Sequence, residues 1–339
     1  MGEKIGVNTL RLNADIRVAG HGNCVGKFEH EGNLSGRFDE VVEDEYYGEK
    51  TFELAETKFQ KTALSIAANH AGLNVEKLDV LTAGDLLNQC IASGYSVRNN
   101  GVPFIGLYGA CSTMALSTAT ACLSIESGFA HTAGAMTSSH FCSAERQFRN
   151  PLEYGGQRPP SAQRTVTGAA ALILSDALGG AVRVKHITLG RVVDFDITDI
   201  NNMGGAMAPA AVDTLAGFFT DTQTAPADYD LIVTGDLGFF GRDILRDMMA
   251  QRGLEMGAQY NDCGMMIFDN EKQDTHAGGS GCGCSGTVLT SYILPEMEAG
   301  NLKNVLFCAT GALMSPTSIM QNQSIPGVAH LIHFVKEDA

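Results

Sequence analysis

The sequence predicts an α/β protein built from two similar halves, each a sheet with its helices, packed so that a central helix of each half lies between the sheets. Three observations carry this. First, strand-to-turn units recur in one order: Leu78 to Asp85 is matched by Tyr229 to Asp236, Tyr108 to Cys111 by Gly279 to Cys282, and Phe129 to Ser139 by Leu302 to Ser315. Units repeated in the same order, once per half, mark an internal duplication. Second, the helix predicted after Cys111 mixes small and apolar residues (Met114, Ala115, Ala119, Ala121, Leu123, Ile125), which suits burial on most sides. Third, 339 residues, 44% apolar and 18% charged, can bury the cores of about two domains. The halves are expected to span 1–185, with Cys111, and 186–339.

Charge excludes several roles. A formal −15 argues against a broad nucleic-acid surface and against simple electrostatic adhesion to an anionic membrane, both of which need clustered Lys and Arg. A membrane-protein partner needs only a local patch and stays open. Met1 to Asn8 has no apolar core with a cleavage site, so no secretory signal is expected, and no apolar run is long enough to span a bilayer. Nine scattered cysteines fit reduced thiols in a cytoplasmic setting better than a disulfide framework. Cys282-Gly-Cys284, with Cys263 and His276 nearby, lacks zinc-ligand spacing, so neither a metal nor a cofactor is expected.

Taken in order, Gly6 to Leu12 and Ile16 to Ala19 read as strands, and the acidic run Asp39 to Glu49 as a solvated loop with room for a short helix. Thr51 to Ala71 has apolar residues at helical spacing (Leu54, Phe59, Leu64, Ile66). Glu53, Glu56, Lys58 and Lys61 fall largely on the other face, and Gly72 ends the helix. Leu78 to Ala83 and Phe104 to Tyr108 read as buried strands, and the helix from Ser112 ends near Gly128. Thr132 to Met136 and Thr167 to Leu174 are further strands, and Ala181 to Gly190 reads as an edge-like one. Asp194 to Pro209 reads as an irregular loop before a helix over Ala210 to Phe219.

Candidate functional residues gather at the turns. Cys111 sits where a strand becomes a helix, near the unpaired N–H groups of the first turn at Ser112 and Thr113. Such a position lowers a thiol pKa and can hold an anion. The plainer alternative is a small cysteine filling a gap. Asp85 and Asn88 follow a buried strand, where open α/β sheets carry binding groups, yet Asp85 serves equally well as a helix cap. Ser138, Ser139 and His140 follow the next strand. Arg146, Arg149, Arg158 and Arg164 then cluster in an otherwise acidic chain. Either they form a cationic pocket for carboxylates, or they pair with surface acids or a second subunit.

Duplicated α/β halves with a cysteine heading the first buried helix resemble the thiolase superfamily, which includes thiolases and ketoacyl synthases. The closer resemblance is to the stage V sporulation protein AD family of spore-forming Firmicutes. It rests on Ala83 to Gln89, Gly109 to Thr113, Thr137 to His140, Ala144 to Arg149, Glu153 to Gln157, Ala206 to Ala211, Ala277 to Cys282 and Ala309 to Leu313, which together cover nearly the whole chain. This resemblance implies a thiolase-like five-layer αβαβα fold, two mixed sheets around buried helices. It also implies a non-enzymatic homodimer that binds dipicolinic acid (pyridine-2,6-dicarboxylate) or its calcium chelate. Such a protein works with integral-membrane subunits of the same sporulation channel complex, at the cytoplasmic face of the spore inner membrane. Uptake during sporulation and release during germination are the implied roles.

A flat aromatic dianion needs donors or cations for two carboxylates and a slot for its ring. Cys111, Ser112, Thr113, Ser138, Ser139, His140, Arg146, Arg149 and Arg158 are expected to supply the former. Asn88 stands alongside, and Gly278 and Gly279 let the backbone approach the ring. Asp85 either repels the free dianion or binds the chelated calcium. The rival is a condensing or thiolytic enzyme with Cys111 as nucleophile. His276 and Cys308 echo thiolase loops. However, His276 lacks the flanking Gly and Pro, Cys308 and Gly311 stand one residue too far apart, and His140 lies in the first half. An incomplete catalytic set is the expectation.

Overall fold

The computed structural model describes residues 2–148 and 158–337. The first half contributes β1 (Arg17–Gly26), β2 (Val80–Asp85), β3 (Phe104–Gly106), β4 (Thr132–Ser139) and β5 (Gly168–Ser175). The second contributes β6 (Val182–Thr188), β7 (Leu231–Thr234), β8 (Tyr260–Asp262), β9 (Asn304–Ala312) and β10 (Gly327–Lys336). Their orders are β3-β2-β4-β5-β1 and β8-β7-β9-β10-β6. β2 lies parallel to β3 and β4, and β5 antiparallel to β4 and β1. In the second half β7 lies parallel to β8 and β9, and β10 antiparallel to β9 and β6. The same order and the same senses recur, so the duplication read from the sequence exists in the backbone. The sheets join through one antiparallel pair, Arg183 with Arg17, and β6 itself runs across positions 185 and 186.

Helices complete five layers. α1 (Phe52–His70) covers the outer face of the first sheet, against β1, β5 and β4. Thr51 caps it, its side chain accepting from the Leu54 N–H. α2 (Thr113–Glu126) touches β2 and β4 on one side and β9 and β10 on the other. Met114, Ala115, Ala119, Ala121 and Cys122 are fully buried around its circumference, as a helix between two sheets requires. After β4 comes the short α3 (Phe141–Phe148). α4 (Met203–Thr222) covers β9 and β10, and α5 (Gly238–Ala250) packs on α4. The second central helix, α6 (Cys282–Val288), packs on β5, β4 and β1 of the first sheet, and its continuation Leu294–Ala299 reaches β6 and β10 of the second.

Departures from the sequence reading have local causes. Phe104 to Tyr108 is an edge and not a buried strand: β3 pairs with β2 alone, and Ile105 and Tyr108 are 37% and 44% exposed. An apolar run cannot tell an edge from a centre. Ala181 to Gly190 shows the converse, because β6 is hydrogen-bonded to β10, to Thr9–Arg11 and at one point to β1. The acidic run contains a strand, Glu40–Val42, parallel to Cys24–Gly26. α4 begins at Met203, not Ala210, capped by Asn202 and running through Pro209, whose missing N–H removes one helical bond. Glu56 turns inward and is 1% exposed. Among the described residues no helix is long and apolar enough to cross a membrane.

Candidate functional site

The turn that delivers Cys111 is held in an uncommon conformation. Ala110 adopts φ +49°, and Gly281, its counterpart before Cys282, adopts φ +99°. The turn closes on itself: the Ser112 N–H donates to the Gly109 carbonyl (3.1 Å) and the Thr113 N–H to that of Ala110 (3.2 Å). The Ser112 and Thr113 hydroxyls donate to the same two carbonyls, each at 2.6 Å. The donors expected to receive an anion are thus engaged within the turn.

Behind Cys111 stands Asp236, just past the end of β7 and fully buried. Its carboxylate accepts from the Thr310 hydroxyl (2.8 Å), the Ser280 hydroxyl (3.1 Å) and the Gly281 N–H (2.9 Å). The Cys111 thiol lies within reach of this carboxylate's charge. Burial, and after it the neighbouring Asp236, push the Cys111 thiol well up, so the sulfur is protonated at neutral pH. This is a correction: the helix start does not lower the thiol pKa, because desolvation and a facing carboxylate outweigh the helix dipole. Burial also raises Asp236 to about 6, against the pull of the Gly281 N–H. The arrangement is reciprocal across the duplication, since the Cys282 thiol donates to the Ser138 carbonyl of the first half (2.9 Å). Asp236 was not among the predicted residues, yet its position as the repeat of Asp85 was the signal that would have found it.

Cys111 lies in the wall of an open cleft to which both halves contribute. Tyr108, Phe148, Met203 and Met314 give it apolar faces, while Thr165, Asn201 and Ser280 give polar ones. Gln163 also lines it, with its amide already donating to the carbonyls of Asp236 (2.7 Å) and Gly279 (2.9 Å). Among the described residues Glu145 is the charged lining residue, and no histidine, lysine or arginine lines the cleft.

The other predicted positions lie elsewhere. Asp85 is not the N-cap residue of the helix that follows, which is Cys90, but its carboxylate is taken up locally, accepting from the N–H groups of Leu87 (2.9 Å) and Ser93 (2.8 Å) and from the Ser93 hydroxyl (2.6 Å). Ser138 donates to Glu56 (2.8 Å), as does Ser143 of α3, and the Gln60 amide ties Ser138 to Ser93. Burial first, then Asp85, raises Glu56 to about 8. Ser139 donates to the Val166 carbonyl (2.7 Å). His140 donates from Nε2 to the Glu45 carbonyl (2.9 Å), and burial lowers its pKa. His276 is hydrogen-bonded through Nδ1 to the Pro159 carbonyl (2.9 Å).

Two of the arginines follow the plainer of the two readings. Arg146 pairs with Glu53, and Arg158 with Asp274 at 3.2 Å. Arg146 and Asn88 border a shallow groove apart from the cleft, where Asn88 accepts from Gln147 (3.1 Å). Arg149 lies outside the described residues. Gly278 and Gly279 serve chain packing: a Cβ on Gly278 would stand 2.5 Å from the Gly264 carbonyl oxygen, and one on Gly279 2.8 Å from Ile267. Of the predicted positions that are described, Cys111 is the one brought into the cleft.

Known proteins agree with this architecture. Human mitochondrial 3-ketoacyl-CoA thiolase, solved in complex with CoA, superposes with a TM-score of 0.61 at 13% identity, over 96% of this chain and 99% of that one. The 3-oxoacyl-(acyl carrier protein) synthase III of Pseudomonas aeruginosa PAO1 gives 0.59 at 13% identity, over 96% and 99%. At such identities these likenesses establish the fold, which is thiolase-like. The Bacillus subtilis (strain 168) protein named Stage V sporulation protein AD is 41% identical over 329 residues, 97% of each chain. Residues 6–335 match the family described as Stage V sporulation protein AD (SpoVAD), and the chain belongs to that family.

Proposed function

We propose that this sporulation-family protein binds dipicolinic acid or its calcium chelate in the cleft beside Cys111, without catalysis. One observation carries the reading: the Cys111 thiol is held protonated beside Asp236, and among the described residues no histidine lines the cleft to take its proton. A nucleophilic cysteine needs a thiolate or an adjacent base. Tyr108 and Phe148 offer aromatic faces to a planar ring, and Thr165, Asn201 and Ser280 offer hydrogen-bonding groups. Among the described residues the lining holds no cation, which favours the chelate, whose carboxylates are neutralised by calcium, over the free dianion.

The same reading places the protein beside integral-membrane subunits at the cytoplasmic face of the spore inner membrane, as a homodimer joined through β3. An edge strand with unpaired backbone groups and an exposed Ile105 supports that pairing. Ile105→Arg is expected to give the monomer mass by light scattering, and a monomeric parent protein would refute the dimer.

Titration calorimetry with dipicolinate, with and without calcium, tests the ligand. Saturable heat that disappears in the cleft-filling Ala312→Phe is expected, and no heat under either condition refutes the reading. Incubation with acyl-CoA thioesters is expected to leave Cys111 unmodified by mass spectrometry. An acyl adduct that turns over would establish the condensing-enzyme alternative.

A further inference from the structure

Arg164 sits in a two-residue strand with Thr165, paired in parallel with Gly279–Ser280. Neighbours along a strand point to opposite faces, so while Thr165 lines the cleft, Arg164 leaves it. Its guanidinium stands between two phenyl rings, its central carbon 3.9 Å from the centroid of Phe28 and 4.0 Å from that of Phe141. The Nε atom is buried and has no hydrogen-bond partner among the described residues. Nor does Arg164 form an ion pair there, whereas Arg146 and Arg158 each hold a carboxylate.

Such an arrangement needs an explanation. A buried donor left without an acceptor is unfavourable, which stacking on aromatic faces offsets only in part. With a ring on each face, the guanidinium's donors point along its in-plane edge, where Nε is closed to solvent while the two terminal nitrogens are not among the buried unpaired atoms. That edge matches a carboxylate through two parallel N–H···O bonds. The charged groups around it act at longer range: Glu29, Glu45 and Glu145, with Arg158 opposing them. Two of these acids are otherwise engaged. Glu29 accepts the Thr167 N–H (3.0 Å), and Glu45 accepts from the Cys142 thiol (3.2 Å). Burial also raises Glu29 to about 7, so near neutrality it is partly protonated and repels an anion less.

We propose that Arg164, clamped between Phe28 and Phe141, is a carboxylate-binding site separate from the cleft beside Cys111, and that it takes the planar carboxylate of a small organic acid. This site does not depend on what occupies the cleft.

The test follows the Arg164 Nε–H resonance of the full-length protein by nitrogen-15 NMR, with benzoate, inorganic phosphate and a glutamate-containing peptide as probes. Benzoate is expected to shift that resonance saturably. By calorimetry Arg164→Lys, which keeps the charge and loses the fork, is expected to weaken benzoate binding roughly tenfold or more. Ala312→Phe, which fills the cleft, is expected to leave the Arg164 shift unchanged. The assignment is overturned by an unmoved resonance, by undiminished affinity in Arg164→Lys, or by phosphate or the peptide binding more tightly than benzoate. Should Arg164→Lys fail to fold, the wild-type titration still decides. A cleft that refuses dipicolinate leaves this readout intact, so the two readings fail separately.

Discussion

Asp236→Asn is expected to remove one component of the protein's pH dependence, with a size that follows from the environment of the carboxyl. Burial holds the folded-state pKa near 6, against an ordinary value of 3.8. Below the lower value both states carry the proton. Between the two values the folded protein keeps a proton that the unfolded chain has released, so stability falls as pH rises through that window and is level above it. A gap of roughly 2 pH units at about 1.36 kcal/mol each amounts to roughly 3 kcal/mol. Asparagine does not titrate and lacks this component. Glu29, Glu56, Asp85 and Asp262 are raised in the same direction by burial, but they are present in both proteins and largely cancel in the difference. Urea unfolding of both proteins at about pH 4 and about pH 7 reads it out, and the stability of wild type minus variant should drop by roughly 3 kcal/mol between them. The same difference at both pH values would refute the account of Asp236 as a desolvated acid.

Other expectations concern the same region. Cys111 should react with iodoacetamide at neutral pH far more slowly than an unfolded-chain cysteine and faster in Asp236→Asn, as followed by mass spectrometry; equal rates in the two proteins would disconnect the thiol from the carboxylate. Relative to wild type, Glu56→Gln should gain stability in urea unfolding as pH rises from about 4.5 to about 8, the window in which folded Glu56 keeps a proton that the unfolded chain has released, with no further gain above it; a difference that does not move with pH would count against a desolvated Glu56. Gly281→Ala should cost about 1–3 kcal/mol in a denaturant melt, since φ is +99° and a Cβ would stand 2.7 Å from the Ser139 Oγ. An unchanged midpoint would count against that close approach.

Much of the fold was legible because burial leaves a periodic trace. The repeated strand-to-turn units gave the duplication, and the small residues of α2 gave its place between the sheets. The site was less legible, because a side chain's neighbours come from distant segments. Asp85 and Asp236 occupy matching positions in the repeat, yet Asp85 is taken up locally and Asp236 backs Cys111. Nothing local distinguishes them, since the difference lies in what the opposite half presents. Glu56 misled for a related reason: helical spacing placed it among charged residues, while Ser138 and Ser143, far along the chain, supply the hydroxyls that let it turn inward. Arg146 and Arg158 found acids that sequence proximity did not reveal.

The sparse backbone linkage between the two main ladders has a mechanical meaning. Among the described residues β1 and β6 meet only around Arg17 and Arg183, with the Ile16–Val184 hydrogen bond beside them. The remaining ties between the halves are short segments outside those ladders, such as Arg164–Thr165 with Gly279–Ser280. Each sheet is a slab with its own ladder. Their spacing is therefore set largely by the helices between them, and at Gly286 α6 lies directly on the first sheet: an added methyl carbon would stand 2.9 Å from Ala170 and 3.1 Å from Thr137. A wedge driven in there would spread the slabs and widen the mouth of the cleft without touching it. By the same leverage, a load on an outer face could alter the aperture from a distance.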